Sequence, residues 1–142
     1  NLLFQWGDMQ VRYFEHEDLD LLNHWLEKHR HPLVTLDELP KLGWVAEYKE
    51  EDGQTVMAAI AFLRLAEGNF AIADSLALNP DLKSLKTKAR AFDAVSTKLI
   101  ETARSLKIKH LLAYTVIEGL AKRSVKKHGF AKVDHKLLVK TL

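Results

Sequence analysis

The chain of 142 residues contains no cysteine. That excludes disulfides, thiolate-bound metals and a cysteine nucleophile. No apolar run approaches the roughly 20 residues of a membrane-spanning helix, and no leader pattern is visible. The seven histidines form no ligand set. His24 and His128 fall in helical stretches, His29 and His31 flank a helix end, and none pairs with a carboxylate at a metal-ligand spacing, so no metal is expected. Gly-x-Ser-x-Gly, P-loop and dinucleotide fingerprints are missing, as are internal repeats and low-complexity segments. The expectation is a single soluble, cytoplasmic domain with enough residues to bury a core. Residues 1–8 resemble the scar of a protease-cleavable tag, with Met9 as the native start, so the domain is taken as 9–142.

What is present is unevenly charged. Residues 1–75 hold 6 Lys and Arg against 14 Asp and Glu, whereas residues 76–142 hold 15 against 5. The basic half reads either as a solvated surface or as a face for a polyanion, such as a phosphorylated cofactor, a nucleic acid or an acidic partner. Aromatic residues for base stacking are sparse there (Phe92, Tyr114 and Phe130), which weakens the nucleic-acid reading.

The periodicities predict an ordered series of elements. Gln10 to Glu15 alternates as a strand. Glu15 to Arg30 is amphipathic, with Leu19, Leu22, Trp25 and Leu26 as its stripe, acidic first turns and a basic end. Thr35 with Glu38 three residues on suits a capped short turn. Gly43–Lys49, Gln54–Leu65 and Phe70–Leu78 read as three antiparallel strands joined by turns at Glu51-Asp52-Gly53 and Glu67-Gly68-Asn69. Asp81 to Lys88 has no clear period, and Ala89 to Lys107 is a long helix. Lys109 to Val116 reads as a buried strand. Leu120 to His128 reads as a short helix that buries Leu120, Ala121, Ser124, Val125 and His128, turns Lys122, Arg123 and Lys126 away, and closes on a left-handed Gly129. Phe130–Val133 and Lys136–Leu142 are expected as closing strands. The fold class is α/β: a mixed, mostly antiparallel central sheet with helices on both faces.

This order resembles the GNAT superfamily of acyl-CoA N-acyltransferases over most of Met9 to Leu142. The stretch Asp74 to Pro80 resembles the family's fourth strand and the proline that ends it. Ala94 to Ile108 resembles the helix after its pyrophosphate loop, and the ending Lys-His-Gly-Phe at 127–130 resembles its last motif. The chain also resembles small GNAT-like proteins encoded in phage genomes. The resemblance implies transfer of an acetyl group from acetyl-CoA to an amine. Asp74 would be the general base, and Leu76 and Leu78 the strand positions along the cofactor; Tyr114 would stand in for the family's missing acid, and Lys86, Lys88 and Arg90 for its missing glycine loop by contacting the phosphates directly. Each has a plainer reading. Asp74 can be a carboxylate bonded to a neighbour, Tyr114 a core aromatic with a wet tip, and the basic residues around 83–90 a solvated loop. The sequence departs from the family pattern at the pyrophosphate loop, which aligns with Thr87 to Phe92 and has Arg90 and Phe92 where glycines are usual. The usual Asn and Tyr of the last helix fall at Glu118 and Val125. These departures keep open an inactive GNAT-like binding or virion-associated protein, and more distantly a nucleic-acid binder. The basic groups at 83–90 and 122–127 are expected to converge on one cleft mouth.

Overall fold

The computed structural model describes residues 8–115 and 117–142; residues 1–7, which make up most of the stretch 1–8 read as a tag remnant, and Val116 lie outside them. Among the described residues five strands form one sheet in the order β1-β2-β3-β4-β5. They are β1 (Gln10–Tyr13), β2 (Leu42–Lys49), β3 (Thr55–Leu65), β4 (Phe70–Leu78) and β5 (His110–Ala113). The first four are antiparallel neighbours, and β5 joins β4 in parallel. The helices are α1 (Leu19–Lys28), α2 (Leu85–Ser105) and α3 (Glu118–His128). A 3-10 turn at Leu36–Glu38 carries the expected Thr35–Glu38 capping box.

Strand alternation splits the core into two layers. Val45, Ile60, Phe62 and Ala77 point to one face, where Leu22, Trp25 and Leu26 of α1 cover them. Trp44, Ala46, Ala59, Ala61, Leu63 and Ala71 point to the other, beneath Ala91, Val95, Leu99 and Ala103 of α2. The sheet is therefore sandwiched, and β3, apolar on both faces, lies at its centre. The small alanines on the second face let α2 lie close to the strands. Gly43 has a packing reason of its own: a Cβ there would stand 2.4 Å from the Phe62 ring.

A polar clamp ties β1 to α1. Arg12 donates through Nη1 and Nη2 to the two oxygens of Asp18, at 2.8 and 2.9 Å, and Asp18 also accepts from the Glu15 N–H. At the other end of the chain, Gly129 takes the left-handed conformation expected of it (φ 76°) and stops α3.

Three expectations are corrected. The long helix begins at Leu85, four residues before Ala89. Ser84 caps it by accepting the Thr87 N–H, so Thr87 to Phe92 is helix and not a loop. Of the described part of the strand expected over Lys109 to Val116, His110–Ala113 is strand, and it is the exposed edge of the sheet. Phe130–Val133 and Lys136–Leu142 form no strands. Their apolar residues carry the right pattern, but a strand also needs a pairing partner, and Leu137, Leu138, Val139 and Leu142 remain exposed. Among the described residues no helix is long and apolar enough to cross a membrane.

Candidate ligand cleft

The functional geometry starts with a fault in β4. Between Ile60–Ala77 and Phe62–Asp74 the β3–β4 register slips, leaving Ser75 and Leu76 without a partner. Ser75 adopts a left-handed backbone (φ 52°), which is uncommon for a residue with a side chain. The arrangement is a β-bulge, which bends a strand and re-aims its groups. On the other side of β4, pairing with β5 ends at Ala73–Ala113. The two parallel strands part where the bulge begins.

The parting opens a cavity of about 890 Å³. Its floor is Ala73, Asp74, Leu76, Ala113 and Tyr114, and one wall is α2 through Phe92, Ser96, Leu99 and Ile100. α3 and the segment after it form the other wall, through Ala121, Lys122, Val125, Lys126, Lys132 and His135. The volume lies within the roughly 300–1,000 Å³ of small-molecule sites, and the lining is mostly apolar with a few polar groups.

Of the residues singled out from the sequence, Asp74, Leu76 and Tyr114 come together in this cleft. Asp74 is held by Arg64, whose Nε donates to Oδ2 at 2.6 Å while its Nη2 donates to the Glu38 carbonyl at 2.9 Å. The Ser75 hydroxyl stands 3.3 Å from the other oxygen. The plainer reading of Asp74, a carboxylate bonded to a neighbour, thus describes its ground state. Tyr114 lies just beyond β5 and is 60% exposed, so its hydroxyl end is available to a ligand. Leu78 ends β4 away from the cavity lining, where its carbonyl accepts from His29 Nε2 at 2.8 Å. Lys86, Lys88 and Arg90 occupy the first turns of α2 and are not among the lining residues.

The expected faces of α3 are also corrected. Arg123 does not point away. Its Nε donates to Asp93 of α2 at 2.7 Å, and His128 donates to the same carboxylate at 2.9 Å with its ring edge against Phe92. This three-residue tie sets α3 against α2 and so holds the second wall in place. It also makes neighbours of the two basic stretches, since Asp93 lies one turn after Arg90, but it occupies Arg123. The hydrogen bonds from Arg123 are the largest effect on the Asp93 carboxyl and lower it; burial, the next largest, opposes them, and the bond from His128 adds to the lowering, so the carboxyl stays below the usual range. A carboxyl depressed in the folded state stabilises the protein above its unfolded pKa, near 4, and loses that contribution as pH falls through the folded value. Asp93→Asn is therefore expected to melt below the wild type at pH 7, with the gap closing towards pH 3. Melting curves across that range check it, and a gap independent of pH would refute it.

Arg64, the Ser75 bulge and the Asp93 tie leave no pattern in the sequence. The Arg64–Asp74 pair is diagonal across β3 and β4, since Arg64 faces Ile72 and Asp74 faces Phe62. Only the strand register reveals it.

No protein-family model matches the chain, and no curated protein matches its sequence. Solved structures do resemble it. A Mycobacterium tuberculosis protein in complex with CoA is similar at a TM-score of 0.68 and 19% identity, covering 92% of this chain and 76% of that one. An acetyltransferase of Trypanosoma brucei is similar at 0.65 and 13%, covering 94% and 100%. Glucosamine-6-phosphate N-acetyltransferase from Arabidopsis thaliana is similar at 0.62 and 13%, covering 93% and 97%. The chain has the GNAT acyl-CoA N-acyltransferase fold, as the resemblance in its sequence implied.

Proposed function

We propose that the protein is an acyl-CoA-dependent N-acyltransferase that moves an acetyl group from acetyl-CoA to an amine. The observation that carries this reading is the β4 bulge at Ser75–Leu76, placed where β4 and β5 part at the floor of a large apolar cleft. Leu76 has no partner in the β3–β4 register, and we assign its backbone N–H as the donor to the thioester oxygen, a contact that does most when negative charge collects there in the transition state. The pantetheine arm of acetyl-CoA suits the apolar walls. The CoA complex of a structurally similar protein supports the same ligand class.

The chemistry is addition followed by elimination. The amine nitrogen bonds to the thioester carbon, the C–S bond breaks, and the sulfur leaves as thiolate. Asp74 is the acceptor for the proton the amine sheds, directly or through one water. In this role Arg64 positions the carboxylate and the oxygen near Ser75 receives the proton. Tyr114 returns a proton to the leaving sulfur.

The test is binding. Acetyl-CoA at a hundredfold excess over its Kd stabilises a native protein by about 2.7 kcal/mol, or about 5–10 °C in Tm for a chain of this size. A rise of that order is expected, together with thiol release when amines are supplied. No shift at millimolar acetyl-CoA would overturn the reading. Binding with no thiol release from any amine would instead favour the inactive binding protein, a reading that the missing glycines at Arg90 and Phe92 already support.

A further inference from the structure

The charged lining of the cleft is lopsided. Lys122 and Lys126 stand four residues apart on α3, hence on one side of it. Lys132 and His135 follow beyond the Gly129 stop, and all four line the cavity and are exposed to solvent. The cavity has two carboxylates. Asp74 is engaged by Arg64 at the floor, and Glu118 lies in the first turn of α3.

The start of α2, where the family resemblance would put the phosphates, is built differently. The Ser84 side chain takes the Thr87 N–H. Phe92 is buried (5% exposed) and, with Arg90, removes the bare backbone that a phosphate cradle requires. The hollow beside this helix start is only about 290 Å³, and its charged lining is Glu50 and Asp81 against the single Lys83, so it has no excess of positive charge to offer an anion.

From this contrast we infer that the phosphate groups of acyl-CoA are held by Lys122, Lys126 and Lys132, on α3 and the segment after it, and not by the start of α2. The inference rests on the reading of the cleft as an acyl-CoA site. Exposed ammonium groups act as point charges and not as a shaped cradle. Binding is accordingly sensitive to salt and tolerant of how the nucleotide end is oriented.

The experiment is calorimetry on the full chain with two donors: acetyl-CoA, and acetyl-pantetheine, which lacks the phosphates. Two triple variants are compared, Lys122→Ala/Lys126→Ala/Lys132→Ala and Lys86→Ala/Lys88→Ala/Arg90→Ala. The first is expected to weaken acetyl-CoA about tenfold or more, to flatten its salt dependence, and to leave acetyl-pantetheine unchanged. The second is expected to change either donor less than twofold. Loss carried by the α2 triple, or an α3 triple that binds like the wild type, overturns the inference while the acyl-CoA reading stands. A wild type that binds no acetyl-CoA removes both. Lys132→Ala alone lies outside every helix and strand, and it supplies the same comparison if the α3 triple melts early. It should weaken acetyl-CoA and spare acetyl-pantetheine.

Discussion

Leu76→Pro is expected to cut acetyl transfer by about 10²–10³-fold, the loss typical of removing one oxyanion donor, while acetyl-CoA still binds. Proline has no N–H, so the substitution deletes the proposed donor; it also presses the preceding Ser75 away from its left-handed backbone, which is why acetyl-CoA binding is measured beside the rate. Proline would break most central strands, but bulges tolerate it, and Leu76 has no partner in the β3–β4 register. Leu76→Ala provides the comparison. It keeps the N–H and trims only the side chain on the cleft floor, so its transfer rate should fall far less than that of the proline variant. Thiol release from acetyl-CoA with an accepted amine measures both, alongside circular dichroism to verify folding. Equal rates for the proline and alanine variants would remove Leu76 from the mechanism.

Arg12→Ala is expected to give the largest loss of stability, about 3 kcal/mol. Asp18 is the buried charged residue of the described core, and its side chain is 9% exposed. Burial alone would raise its pKa, but the hydrogen bonds from Arg12 and from the Glu15 N–H outweigh burial and leave it lowered. Taking Arg12 away strands a carboxylate that water reaches poorly, and breaking such a pair costs about 3–5 kcal/mol. The low end applies because the Arg12 side chain is 34% exposed, so solvent already screens the pair. The expected fall in Tm is about 6–12 °C. Arg12→Lys should recover part of it, since it restores charge without the two-pronged fork. A fall below about 1 °C for the alanine variant would show that the clamp contributes nothing.

How far the sequence could be read depended on what each element needs. β1 to β4 and α1 were legible because one face of each is apolar at the right period, and those faces did become the two core layers. The start of α2 was not, because its first turn, Leu85 to Lys88, is mostly polar and solvated. The signal that does mark it is Ser84 with Thr87 three residues on, a cap with no apolar run behind it. The closing strands were over-read for the opposite reason: apolar periodicity reports a face able to be buried and says nothing of a neighbour to bury it. In the cleft, Asp74 was legible as a carboxylate on an apolar strand, but its tether to Arg64 and the tie of Arg123 and His128 to Asp93 depend on partners ten to thirty-five residues away. Lys122 and Lys126 were seen as a basic face, without the cavity that gives that face a direction.

The strand order also sets a sequence of events in time. β1 to β4 are neighbours in the sheet, and β2, β3 and β4 are joined by short turns, so their pairing closes locally. β5 reaches β4 only after the 21-residue α2 has crossed the sheet. Non-local pairing of this kind is slow, because the intervening chain must be ordered before contacts reward it. The β1–β2 pairing spans a similar separation, so both are expected to close after β2 to β4, and the cleft between β4 and β5 is expected among the later parts of the molecule to be completed. A ligand bound there grips contacts that the rate-limiting barrier lacks, so acetyl-CoA is expected to slow unfolding and leave the refolding rate unchanged. Stopped-flow unfolding and refolding with and without the ligand would separate the two rates, and a ligand that sped refolding would place the cleft among the first regions to form.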